Sequence, residues 1–162
     1  MVLSLREMGA RPVRYAAPGW GVGELWTHGE AVVWHEHPVA GSPPDGFPAP
    51  ELVERLLAYF GGEAVSFEDV ELDLDGLPPF HRQLAEALRG VPRGEVVTYG
   101  ELAALAGRPG AHRAAGTFCS RNHLAIFIPC HRVVAADGIG PYGVLGVEYK
   151  RRLLALEGCR GL

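Results

Sequence analysis

The sequence predicts an α+β fold: a small N-terminal domain of β-sheet plus helix over residues 1–77, then a mostly helical domain over 78–162 containing a helix-turn-helix. Three observations predict it. Residues 12–37 read as short β runs with a turn at His28-Gly29, whereas the second half looks helical and repeats its apolar residues at helical spacing. Asp75-Gly76-Leu77-Pro78-Pro79 breaks the chain between them. The charge changes sign at the same place: residues 1–78 hold 4 Arg and no Lys against 13 acids, −9, and residues 79–162 hold 11 Lys+Arg against 6, +5. A chain of 162 residues with 48% hydrophobic content allows one ordinary domain or two small ones with modest cores.

Taken in order, Pro12-Val13-Arg14-Tyr15, Gly21 to Trp26 and Ala31-Val32-Val33-Trp34 read as strands, with a turn at His28-Gly29 making antiparallel hairpins. Residues 41–50 are Gly/Ser/Pro-rich loop. Pro50 can open a helix at its first position, Leu52, Val53, Leu56, Leu57 and Phe60 give it an apolar face, and Gly61-Gly62 ends it. Val70, Leu72 and Leu74 alternate with acids, as a half-exposed strand would. In the second half, Phe80, Leu84, Ala87 and Leu88 form one stripe stopped by Gly90. Thr98 with Glu101 three residues on is a capping box ahead of Leu102, Ala103, Leu105 and Ala106. Gly107 closes that helix, Arg108-Pro109-Gly110 turns, and a second helix runs from about Ala111 to Cys119, which is the helix-turn-helix pattern. Ile126-Phe127-Ile128 is a short buried run, and a last helix from about Val147 to Leu156 packs Leu153, Leu154 and Leu156.

The bulk numbers exclude several classes. No stretch approaches the roughly 18–20 apolar residues of a membrane span, and Met1 to Glu7 lacks the pattern of a signal peptide, so a cytoplasmic protein is expected. Cys119, Cys130 and Cys159 are odd in number and widely spaced, which argues against a disulfide framework or a four-cysteine zinc site. His28, His35 and His37 have no cysteine or carboxylate at ligand spacing, so no metal is expected. Trp20, Trp26 and Trp34 read as sheet-packing aromatics. Net charge is −4, but the basic second half suits contact with phosphates.

The chemistry centres on Pro129-Cys130-His131-Arg132-Val133. A thiolate is the nucleophilic form of cysteine, and a neighbouring base or cation favours it. On an extended backbone His131 would point away from Cys130 and reach it through a bend or a water. A base so used needs an orienting group, and Glu157 is the candidate carboxylate. For a bare Cys-His dipeptide, however, a buried thiol beside a surface His-Arg pair is the stronger reading.

The wider context resolves that ambiguity. Pro129 to Val134 resembles the active-site signature of the O6-alkylguanine-DNA alkyltransferases, and Glu95 to Ala103 resembles the segment that opens their helix-turn-helix. Arg113-Ala114-Ala115-Gly116 looks like their recognition helix, Asn122 stands eight residues before the cysteine, and Lys150 to Gly158 looks like their last helix. The likeness covers about residues 78–158. It implies single-turnover, cofactor-free transfer of the alkyl group from O6-alkylguanine, with O4-alkylthymine as a second lesion, to Cys130. Glu157, His131 and a water would generate the thiolate, Asn122 would brace the cysteine segment, and Tyr99 would press on a phosphate and protonate the departing guanine. Arg113 would replace the flipped nucleotide. Ala114, Ala115 and Gly116, with Tyr99 and Thr98, would approach double-stranded DNA through its minor groove. Tyr142, Val134, Gly143 and Ala125 would line the guanine pocket, in a protein working as a monomer.

Three departures stand out. His123-Leu124-Ala125 occupies a stretch usually containing prolines, and Ala125 in place of a proline would widen the pocket. Phe118 and Cys119 differ from the usual recognition-helix residues, and the Pro141–Gly146 loop is shifted. Other functions fit less well. A lesion sensor of the alkyltransferase-like kind would lack Cys130, a regulator would be expected to carry an additional methyl-phosphotriester domain, and nothing suggests the acyl pocket of a cysteine hydrolase.

Overall fold

The computed structural model describes residues 2–45 and 49–162, so part of the expected 41–50 loop, residues 46–48, lies outside the described residues. The chain divides into two compact units: Met1–Asp73 with His123–Ala125, and Leu74–Asn122 with Ile126–Leu162. The division thus falls a few residues before the 77/78 position read from the sequence.

In the first unit a short helix α1 (Val2–Glu7) precedes β1 (Arg11–Ala17), β2 (Gly21–His28) and β3 (Ala31–Val39), which form an antiparallel sheet in sequence order. Helix α1 has six residues, too few for its periodicity to be read. Alternation sends neighbours to opposite faces of the sheet. Trp26 packs with Leu5, Ala10 and Val33. Tyr15 stacks on Phe60 of α2 (Glu51–Phe60), whose Val53, Leu56, Tyr59 and Phe60 are buried. Pro50 is the cap of α2 rather than its first residue. Tyr15 lies opposite Gly23 in register, and a Cβ there would meet its ring at 2.3 Å. Gly23 is therefore what lets the ring cross the sheet.

The alternation at Val70, Leu72 and Leu74 does not produce a strand. Only Leu72 makes a bridge, to Val32, through Val32 N–H to Glu71 O and Asp73 N–H to Val32 O, both 2.9 Å. The turn at Asp75-Gly76 and the prolines beyond it leave too few residues for a ladder. Farther along the same strand, His35 N–H bonds His123 O at 2.8 Å and pairs with Leu124. Two irregular segments thus cover backbone of β3 that would otherwise stand open at the sheet edge. This pairing places 123–125 in the first unit.

The second unit holds α3 (Pro79–Arg89), α4 (Tyr99–Leu105), α5 (His112–Ser120) and α6 (Val147–Leu156), with short strands β4 (Val97–Thr98) and β5 (Val133–Val134) paired in parallel. Phe80, Leu84, Ala85 and Leu88 are the buried residues of α3; Ala85, not Ala87, completes the stripe. The capping box at α4 is formed: Thr98 Oγ1 accepts from Glu101 N–H at 3.1 Å, and Thr98 N–H donates to Glu101 Oε1 at 3.0 Å. Leu105 is 62% exposed and Leu156 half-buried, so the expected apolar faces stop short of both. Gly107 and Gly110 take the left-handed conformations that turn α4 into α5. Among the described residues no helix is long and apolar enough to cross a membrane.

Candidate active site

Cys130 opens a single 3₁₀ turn, Cys130–Arg132, between the buried residues 126–129 and β5. The backbone here is therefore not extended. Its register is fixed by β5, where Val133 pairs with Val97 and Val134 with Thr98. Residues 126–128 are buried as expected but form turns, and Ile126 has φ 74°, the only left-handed non-glycine among the described residues. A β-branched side chain is costly there, and such backbone persists only where surrounding contacts hold it. Asn122 supplies one: its Nδ2 donates to Ile128 O at 2.9 Å and to Cys130 Sγ at 3.1 Å. The brace thus reaches the sulfur itself as well as the backbone.

The carboxylate partner is also in place. Glu157 sits just past α6, buried, with Oε2 accepting from His131 Nε2 at 2.7 Å. Arg132 donates Nε to Oε1 at 2.8 Å and a terminal nitrogen to Oε2 at 3.0 Å, while its other terminal nitrogen donates to Val91 O at 2.7 Å. Burial raises the Glu157 carboxyl, but the hydrogen bond and charge of His131, then those of Arg132, outweigh it and hold Glu157 ionised, well below the usual carboxylate range. His131, 0% exposed, is pushed down by burial against the pull of Glu157. The resting ring is neutral, with Nε2–H committed to Glu157 and Nδ1 as its acceptor nitrogen. The sequence assigns Arg132 only a cationic presence; its fork around Glu157 depends on α6 meeting the 3₁₀ turn.

Cys130 is itself buried, 5% exposed. Burial drives its thiol well above the ordinary range and neighbouring Cys119 pushes the same way, while the Asn122 amide and the charge of Lys150 pull it back. The resting group is the thiol, so reaction requires a proton acceptor. Tyr99, at the start of α4, is half-buried with its hydroxyl raised to about 12 by burial, then by Cys119 and Cys130. It keeps its proton at neutral pH. Lys150 is a site residue that the motifs alone do not single out. Its side chain is fully buried, Nζ donates to Pro141 O at 3.2 Å and lies 5.9 Å from the centroid of the Tyr99 ring, and burial lowers it to about 8. A basic residue on the inner face of α6 is the available signal.

The remaining expected residues divide. Tyr142 stacks on Tyr149 at 6.4 Å, and its hydroxyl is raised by burial and then by Cys130, which places it in this neighbourhood. Val134 is buried in β5, and Gly143 is exposed at φ 52° in a 3₁₀ turn, Gly143–Leu145. Arg113 is exposed near the start of α5, with Ala114 and Gly116 partly exposed. Ala115 is the exception: at 0% exposure it cannot touch DNA, because helical spacing turns it inward with Phe118. Its small side chain serves packing. Ala125 belongs to the first unit, where its carbonyl accepts from His35 Nδ1 at 2.8 Å. The same histidine accepts from Tyr15 Oη at 2.6 Å, so His35 is a structural residue. Among the described residues no three His, Cys, Asp or Glu side chains are grouped to hold a metal.

The family described as "6-O-methylguanine DNA methyltransferase, DNA binding domain" matches residues 79–159. A methylated-DNA–protein-cysteine methyltransferase of Methanopyrus kandleri is 44% identical over 126 residues, 75% of this chain and 91% of that protein. Another, of Mycolicibacterium paratuberculosis, is 49% identical over 106 residues, 65% of this chain and 62% of that one. The chain thus spans under two-thirds of the length of such mycobacterial relatives. The crystal structure of Mycobacterium tuberculosis O6-methylguanine methyltransferase superposes with TM-score 0.79 at 36% identity, covering 94% of this chain and 95% of that one. A structure of M. tuberculosis OGT in complex with DNA gives 0.76 at 37%, covering 91% and 92%.

Proposed function

The chain belongs to the 6-O-methylguanine DNA methyltransferase family, and on that premise we propose that it repairs DNA by direct reversal, moving the alkyl group of O6-alkylguanine irreversibly onto Cys130. The observation that carries this reading is a buried thiol held by Asn122 at 3.1 Å beside a histidine oriented by an Arg132-clamped Glu157. His131 takes the Cys130 proton on Nδ1, directly or through one water, and the ionised Glu157 stabilises the imidazolium that results. The thiolate, helped by the Asn122 amide and the Lys150 charge, attacks the alkyl carbon. The S–C bond forms as the C–O6 bond breaks, and the guanine leaves as an anion that Tyr99 can protonate. The cysteine thiolate is a poor leaving group from the thioether so formed, so each molecule acts once.

The partner is double-stranded DNA carrying the lesion. Exposed Arg113 takes the place of the extruded nucleotide, with Ala114 and Gly116 allowing α5 to approach the minor groove. Tyr142, Val134 and Gly143 line the pocket for the extruded base. The protein works as a cytoplasmic monomer, and a second substrate of the same kind is O4-alkylthymine.

Intact-mass spectrometry after incubation with O6-methylguanine duplex tests the assignment. The expected result is a gain of one methyl group, mapped to Cys130 and absent from Cys130→Ser. Tight lesion binding with no gain in mass would instead make the protein a sensor. Arg113→Ala should keep reactivity toward a free O6-alkylguanine base while losing it on duplex; equal losses on both would rule out the nucleotide-replacing role.

A further inference from the structure

Cys119 is a second thiol at this site that alkyl transfer does not use. It lies in the last turn of α5 and is partly exposed, whereas Cys130 is buried, and both are free. Asn122 links the two residues: its N–H bonds Cys119 O at 3.3 Å, and its Nδ2 donates to Cys130 Sγ at 3.1 Å. The side chain of Cys119 also hydrogen-bonds that of Cys130, and Tyr99 and Lys150 each sense both thiols. A solvent-reachable thiol beside a buried partner is the arrangement in which a sulfenic acid, once formed, is resolved as a disulfide.

We propose that Cys119 and Cys130 form a modification site for hydroperoxides, which join the two sulfurs in a disulfide and mask the alkyl acceptor without consuming it. Cys119, the accessible sulfur, attacks a peroxide oxygen. The O–O bond breaks, Cys119 becomes a sulfenic acid, and one water leaves with the thiol proton. The sulfur of Cys130 then attacks that of Cys119, the S–O bond breaks, and hydroxide departs with the Cys130 proton as a second water. The two thiols together lose two electrons, which the peroxide gains. An external dithiol reverses the product by exchange. The pairing itself does not depend on the repair reading; its consequence for repair does.

The test uses the full reduced chain and hydrogen peroxide. Intact mass should fall by two hydrogens, a peptide pair joined through Cys119 and Cys130 should appear, and methyl-acceptor capacity should vanish and return with dithiothreitol. Cys119→Ser should form no link, and its buried Cys130 should keep its methyl-acceptor capacity through the same treatment. Addition of oxygen without a link in the wild type, a link through Cys159, or identical loss and recovery in both proteins would overturn the proposal. The wild-type mass reading requires no variant to fold. If the reduced protein accepted no methyl group, the repair reading would fail while the mass still reported on the pair.

Discussion

Three residues next to one another in space, Arg132, Glu157 and His131, are better understood by their contacts than by their types. A lone buried carboxylate would take up a proton to escape desolvation. Glu157 instead receives two hydrogen bonds from the Arg132 fork and one from His131, so it stays charged and fixes the ring. Removing one partner of such a buried pair leaves an uncompensated charge, at a cost of about 3–5 kcal/mol. Arg132→Ala should therefore lower stability by roughly that amount in urea unfolding. Glu157→Gln should change stability less than it slows methyl transfer, since the amide keeps the shape but not the charge that supports an imidazolium. If Glu157→Gln transferred methyl at the wild-type rate, Glu157 would be structural only. The Cys-His-Arg order in the sequence hints at this chemistry. The fork does not show there, because Glu157 lies 25 positions from Arg132 and only the return of α6 closes that gap.

Elements carried by local signals are legible in the amino-acid sequence. The capping box of α4 is the clearest, because its partners are three residues apart and side chain and backbone satisfy each other. Thr98→Ala should cost about 1 kcal/mol. Its effect should be seen as faster amide exchange in the first turn of α4; unchanged exchange there would mean that the pairing of β4 with β5 alone secures that turn. Elements that need a distant partner are not legible in this way. The parallel pairing of Val97–Thr98 with Val133–Val134 joins the start of α4 to the chain just after Cys130, yet two residues per strand leave no pattern. The alternation at Val70, Leu72 and Leu74 misleads for the converse reason, since alternation without a partner of adequate length is only a surface. Ala115 misleads because small residues suit DNA approach and helix packing equally, and only its 0% exposure separates them.

For the molecule as a whole, buried neutral histidines set the response to acid. His35 donates Nδ1–H to Ala125 O and accepts from Tyr15, and burial lowers it from 6.5 to about 4. Its folded pKa lies below the unfolded one, so its contribution is fully present above pH 6.5 and is lost as pH falls toward 4. The loss is on the order of 3 kcal/mol. His131 is shifted in the same direction, and the depressed Glu157 adds a loss at still lower pH. Urea unfolding at intervals from about pH 7.5 to about pH 4.5 should show stability falling through this window, less steeply in His35→Leu. Parallel curves for the two proteins would show that His35 does not drive the fall. The sequence by itself determined the two-part α+β plan, the order of β1 to β3 and of α2 to α6, the cap of α4 and the candidate reactive segment. Each of these rests on periodicity, turn residues or contiguous motifs, which neighbouring residues settle among themselves. Tertiary structure alone decided that β3 is edged by residues 71–73 and 123–125, that Arg132 clamps Glu157, that Lys150 is buried, and that Cys119 stands beside Cys130. Those pairings join residues far apart in the chain, and their free energy comes from desolvation and hydrogen bonding that exist only once the elements have packed.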